Sequence, residues 1–267
     1  MHDLLTHPAV LAGLLPFIAA LLTAELLQRL RLSGLAVVAG FASTVYFIAD
    51  FSSEPLTDTR KIIWLGILAS AVAIPLTLLV WSHWRPILTA LAAAIAVWVS
   101  WHSLQQQPIA NALLWGAACA LYAGWLVFWF DGLRDKPVAA GSAGLALGLG
   151  SGLAALLCGT VIVGEFSLAL GAAAAAYLVI QLITNSPISC GRTFTLPLSL
   201  IAAMAGILAA IGGRLPWHVL PVLGLIPLAA HIPIPEKWTL RLRTLALSAM
   251  TLSCAAAAVY LKDVALP

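Results

Sequence analysis

Carboxylates within apolar segments are the residues here best placed to do chemistry, because a charged group in hydrocarbon is costly and marks a binding or transfer site by default. Asp50 and Glu165 are two such groups, each near the end of an apolar block. Gln181 lies in the block that follows Glu165, and Tyr46, Tyr177, Tyr122 and Thr23 add hydroxyls. Glu165, Asp50, Tyr46, Tyr177 and Gln181 together make the candidate lining of a substrate path. Glu165 leads that group, since the turn expected around it is too short to let its carboxylate reach fully into water. The alternative for the same residue is a cap on the N-terminus of the seventh helix, where the helix dipole favours negative charge.

Histidines offer a second chemistry. His83, His102, His218 and His231 lie at the edges of apolar blocks, so that His102 and His218 share one side and His83 and His231 the other. Two such pairs are what a dihaem b-type electron-transfer subunit needs. Each of the four also lies near Trp or Pro at a block edge, where an interfacial histidine is ordinary.

Nucleophilic chemistry finds less. Leu149-Gly150-Ser151-Gly152 has leucine where the Gly-x-Ser-Gly of intramembrane serine proteases begins with glycine, and no histidine is clearly placed on a neighbouring helix. Ser151 therefore reads as a small packing residue. No HExxH, paired-Asp or Gly-rich-Lys motif is present. Cys119, Cys158, Cys190 and Cys254 stand singly, without metal-ligand spacing, and read as small core residues. No catalytic residue, metal or resident cofactor is assigned.

The elements that must position these groups follow from composition. The chain is 62% hydrophobic and 9% charged, against about 25% charged in a soluble domain. Its apolar residues gather into blocks of bilayer-spanning length, and they do not alternate as barrel strands do. The expectation is one all-α polytopic membrane domain over 1–267, with ten spans at about 9–27, 34–51, 62–81, 87–101, 110–130, 138–164, 167–184, 196–211, 217–232 and 245–261. The lipid bilayer is its implied partner. A net charge of +3 spread over short loops argues against nucleic acid.

The sixth span carries Gly144, Gly148 and Gly152 at four-residue spacing, a surface for close helix packing in lipid. It is expected to meet the first span through Gly13, or to meet other neighbours. Glu25 and Arg29, four apart, are expected to pair at an interface. Counted over alternate loops, nine Lys and Arg, among them Arg85, Arg134, Lys136, Arg192 and Arg243, fall on one side and four on the other. That asymmetry places both termini outside the cytoplasm of an inner membrane.

The halves 1–133 and 134–267 also match in order: Gly13-Leu14 with Gly148-Leu149, Gly40 with Gly171, Tyr46 with Tyr177, Arg60 with Arg192, and Asp131 with Asp263. Two five-span halves must enter the membrane in opposite directions, as in inverted-repeat transporters. The sequence thus points to a small-solute transporter or channel for a weakly polar or lipid-like substrate. The rival is a non-catalytic subunit or scaffold that packs against other membrane chains.

Overall fold

The computed structural model describes residues 10–30, 32–48, 57–78, 84–212, 215–235 and 237–264. A π-helical turn, Val10–Leu14, leads into α1 (Leu15–Leu27). Two 3-10 turns, Gln28–Leu30 and Ser33–Leu35, lead into α2 (Ala36–Ile48). Then come α3 (Asp58–Leu78), α4 (Trp84–Gln105), α5 (Ile109–Asp131), α6 (Pro137–Leu157), α7 (Val161–Thr184), α8 (Gly191–Ile211), α9 (Val219–Ala229) and α10 (Leu240–Val264). Among the described residues, helix is the only regular structure.

Among the described residues eight helices are long and apolar enough to cross a membrane: α1 with its π turn, α3 to α8, and α10. The chain is an integral, multi-pass helical membrane protein. The expected second and ninth spans fall on shorter apolar helices, Ser33–Ile48 and Val219–Ala229. Eleven helical residues rise only about 16 Å, half the hydrocarbon thickness. Pro227 inside α9 removes a donor from this short helix.

Contacts at the helix ends place the residues that flank α9 toward opposite ends of the bundle and the start of α2 at one of them. At one end, Ser33 Oγ donates to the Ser189 carbonyl and Arg192 Nη1 to that of Leu76. Gly132 there lies against Arg85 and His231. At the opposite end, Lys61 Nζ donates to the Val99 carbonyl. Trp115 stacks on Trp217 with centroids 4.2 Å apart, and His218 Nε2 lies 3.3 Å from the Leu261 carbonyl. These contacts give α3, α4 and α5, and likewise α9 and α10, alternating directions, and Arg85, Arg134, Lys136, Arg192 and Arg243 gather at one end.

The centre of the bundle is built from α6, α7 and α8. Within its apolar window 89% of α8 is buried, against 22% for α1. Helices α1 and α2 pack on α7, and α3 packs on α8. The hairpin α4–α5 lies against α8 and the hairpin α9–α10 against α6. This arrangement is asymmetric, because the first three helices of the second half form the hub for both hairpins.

Glycines set the closest approach. A Cβ at Gly148 would overlap the backbone of Gly171, one at Gly152 would reach Leu168, and one at Gly144 would meet Leu198 and Ala174. The glycine face of α6 thus packs on α7 and α8, not on α1. Nothing lies within 4 Å of a Cβ built at Gly13. Glu25 and Arg29 are both exposed, and they form no ion pair with each other. The chain tightens into a 3-10 turn at Gln28–Leu30, which rotates Arg29 off the α-helical spacing that would have aligned it with Glu25.

Candidate functional site

Helix α7 carries three of the expected path residues. It begins after a tight reversal at Cys158, Gly159 and Thr160, where Gly159 adopts φ 78°, a conformation open to glycine. That reversal comes six residues earlier than the block pattern suggests. Glu165 therefore sits inside α7 as its fifth residue, not in a turn and not at a cap: the N-cap position belongs to Thr160. Its side chain is buried, with 8% exposure, and it has no hydrogen bond or ion pair to any described residue. Gly164, Ser167, Leu168 and Gly171 face α6 and Ala173 faces α2. By helical periodicity Glu165 belongs to a third face, shared with Ala169, Ala172 and Ala176.

Farther along α7, Tyr177 is fully buried; its hydroxyl donates to the Ile188 carbonyl and its ring leans on Phe194 with centroids 4.7 Å apart. Gln181 is also fully buried. Its Nε2 donates to the Tyr177 carbonyl at 3.4 Å, while Oε1 has no partner among the described residues. Tyr46, expected beside Tyr177, is 63% exposed on the last turn of α2 and meets Phe47 edge-on. The two tyrosines are not brought together. Asp50 lies outside the described residues.

A second constellation, not anticipated as a site, joins the helix ends at the basic end of the bundle. Asp131 closes α5 and Arg192 opens α8, with Nε to Oδ1 at 2.9 Å and both side chains buried. The other carboxylate oxygen of Asp131 lies 3.6 Å from Arg134. Arg192 Nη1 reaches the Leu76 carbonyl of α3, and Nη2 is buried without a partner among the described residues. The Gly191 amide and the Cys190 thiol both donate to the Arg134 carbonyl.

Gly34 closes the knot from α2: a Cβ there would collide with the Cys190 carbonyl, Thr193 and Phe194. Gly191 turns into α8 at φ 57°. Burial pushes the Cys190 thiol up from 9.0 to about 12; the Gly191 amide opposes that shift, and the carboxylate of Asp135 adds to it. This constellation ties α2, α3, α5 and α8 together. Its charges are mutually neutralised, which makes it a clamp between segments. The one sequence signal for it was the presence of Asp131 and Arg192 at the ends of apolar blocks.

The histidines are spread out. His102 is exposed near the end of α4, 3.4 Å from Gln106. His218 precedes α9. His231 follows α9, with Nδ1 2.8 Å from the Pro227 carbonyl and its ring edge-on to Trp129. His83 lies outside the described residues. Among the described residues no three His, Cys, Asp or Glu side chains cluster as a metal site. All four cysteines are free thiols, and only Cys254 is partly accessible. No protein-family profile matches the chain, and no curated protein sequence is significantly similar to it.

Proposed function

We propose that this protein carries a small, weakly polar or lipid-like solute across an inner membrane, as a transporter or channel with both termini outside the cytoplasm. Glu165 is the observation that supports this most. A buried carboxylate with no partner among the described residues is costly unless something else solvates it, and a solute path supplies such a partner. Gln181 Oε1 is a second acceptor without a partner among the described residues, sixteen residues farther along the same helix and so about 24 Å along its axis. One carboxylate and one amide suit a ligand with few polar groups better than a multiply charged ion. The gathering of Arg and Lys at one end supports the orientation.

The inverted repeat enters this proposal in a restricted form. Helices at equivalent positions, α2 with α7 and α3 with α8, pack on each other. The outer hairpins, both leaning on the second half, do not follow that symmetry.

The test uses purified protein and a panel of small solutes read by thermal unfolding. At least one solute class should raise the Tm of the wild type and leave Glu165→Gln unchanged. Equal shifts in both proteins would remove Glu165 from the path.

A second reading, a scaffold subunit, is favoured by the apolar groove between α5 and α9. That groove has a volume of about 560 Å³ and is lined by Trp115, Trp125 and Trp217. Stoichiometric co-purification with another membrane chain from native membrane would select it. The dihaem variant requires Soret absorption of the purified protein.

A further inference from the structure

At the basic end of the bundle, a cleft of about 410 Å³ opens between the start of α6, the start of α10 and the connection from α9 to α10. Its polar lining includes Lys136 and Arg243, and Asp135 stands at its edge. Its apolar walls include Val138, Ile234 and Leu247. Asp135 is engaged by Arg134 at 3.2 Å, whereas Lys136 has no ion pair among the described residues. Arg243 Nε is buried and lacks a hydrogen-bond partner among the described residues. A buried guanidinium donor without an acceptor is a group waiting for one.

Two longer-range features add to the field. Helices α6 and α10 both begin at the cleft, so their positive dipole ends are directed at it. Lys136 occupies the N-cap position of α6 and makes no side-chain cap bond, so its ammonium adds to the positive end of that helix. The cleft is therefore cationic at its mouth and apolar along its walls.

We propose that this cleft binds an anionic phospholipid. Its phosphodiester would lie on Lys136 and Arg243, and the first carbons of its chains would lie along Val138 and Leu247. Two cations suit the single charge of a phosphodiester. The apolar walls, at the foot of two spanning helices where headgroups meet hydrocarbon, favour a lipid over a soluble phosphate. This site is separate from Glu165, and its fate does not depend on the transport reading.

The experiment is native mass spectrometry of the full-length protein in neutral detergent, with phosphatidylglycerol, phosphatidylcholine or inorganic phosphate added in separate arms. Phosphatidylglycerol should be retained in preference to phosphatidylcholine. Lys136→Gln/Arg243→Gln should lower its affinity roughly tenfold or more, the scale on which two interfacial cations act. Leu247→Trp, which fills an apolar wall and keeps both cations, should expel the same lipid. Size-exclusion profiles and Tm report folding of each variant, so either one can carry the test. Equal retention of the two lipids, or undiminished phosphatidylglycerol binding in both folded variants, overturns the proposal. Displacement of the lipid by equimolar inorganic phosphate would make the cleft a soluble-phosphate site and overturn the lipid assignment.

Discussion

Arg192 Nε donates to Asp131 Oδ1 at 2.9 Å, joining the first turn of α8 to the last residue of α5 across 61 positions of sequence. Side-chain exposures of 4% and 6% leave little solvent to replace either partner. Removing one member of a buried pair strands the other, at about 3–5 kcal/mol, whereas replacing both with apolar groups is often tolerated. Asp131→Ala and Arg192→Ala should each depress the Tm in detergent sharply. Asp131→Leu/Arg192→Met should recover a large part of that loss. If the double variant is as unstable as the sum of the single ones, the two side chains are not coupled.

Gly148 presents a different kind of dependence. Its absent side chain lets α6 approach the backbone of α7 at Gly171, and a bilayer offers no hydrophobic drive to compensate for lost packing between helices. Gly148→Leu should destabilise the bundle by at least the roughly 1–3 kcal/mol typical of overpacking. Gly13→Ala, where a Cβ meets nothing within 4 Å, should leave the Tm within a degree or two. Equal effects at the two positions would contradict the α6–α7 contact.

How far these features could be read from sequence depends on their range. The helical blocks were legible because apolar length is a local property, and each expected span falls on a helix. The partner of the Gly144, Gly148 and Gly152 face was not, since spacing identifies a packing surface without naming what meets it. Glu165 was legible as a carboxylate kept from water, but its place inside α7, beyond the turn, was not. The reversal uses Gly159, one glycine among many in an apolar run, and small residues in lipid mark both packing and turns. The Asp131–Arg192 pair was invisible as a pair, because only the antiparallel course of α5 and α8 brings those charges together.

Cys190 yields a pH dependence with a definite sign. Its folded pKa of about 12 lies above the ordinary value of 9.0, so the fold favours the neutral thiol. The stability this contributes is complete below pH 9 and declines as the pH rises from about 9 toward 12, where the unfolded chain can release the proton and the folded chain holds it. The Tm of the wild type should fall over that window more steeply than that of Cys190→Ala. At neutral pH a maleimide should spare Cys190 in the folded protein, because its thiol is buried and held neutral. Rapid modification of Cys190 in the folded protein would contradict its burial.

The alternation of the helices carries the last prediction. Gln107, in the turn between α4 and α5, and Asp135, between α5 and α6, are both exposed and lie at opposite ends of a 23-residue helix. Asp135 lies at the end that gathers Arg85, Arg134, Lys136, Arg192 and Arg243, the end expected on the cytoplasmic side. In a Cys254→Ser background, a membrane-impermeant maleimide added to intact cells should label Gln107→Cys. It should reach Asp135→Cys only after the membrane is permeabilised. The reverse pattern would keep the alternation and invert the protein in the membrane. Labelling of both from outside would mean that α5 does not cross the membrane, and the opposed directions of α4, α5 and α6 would fail.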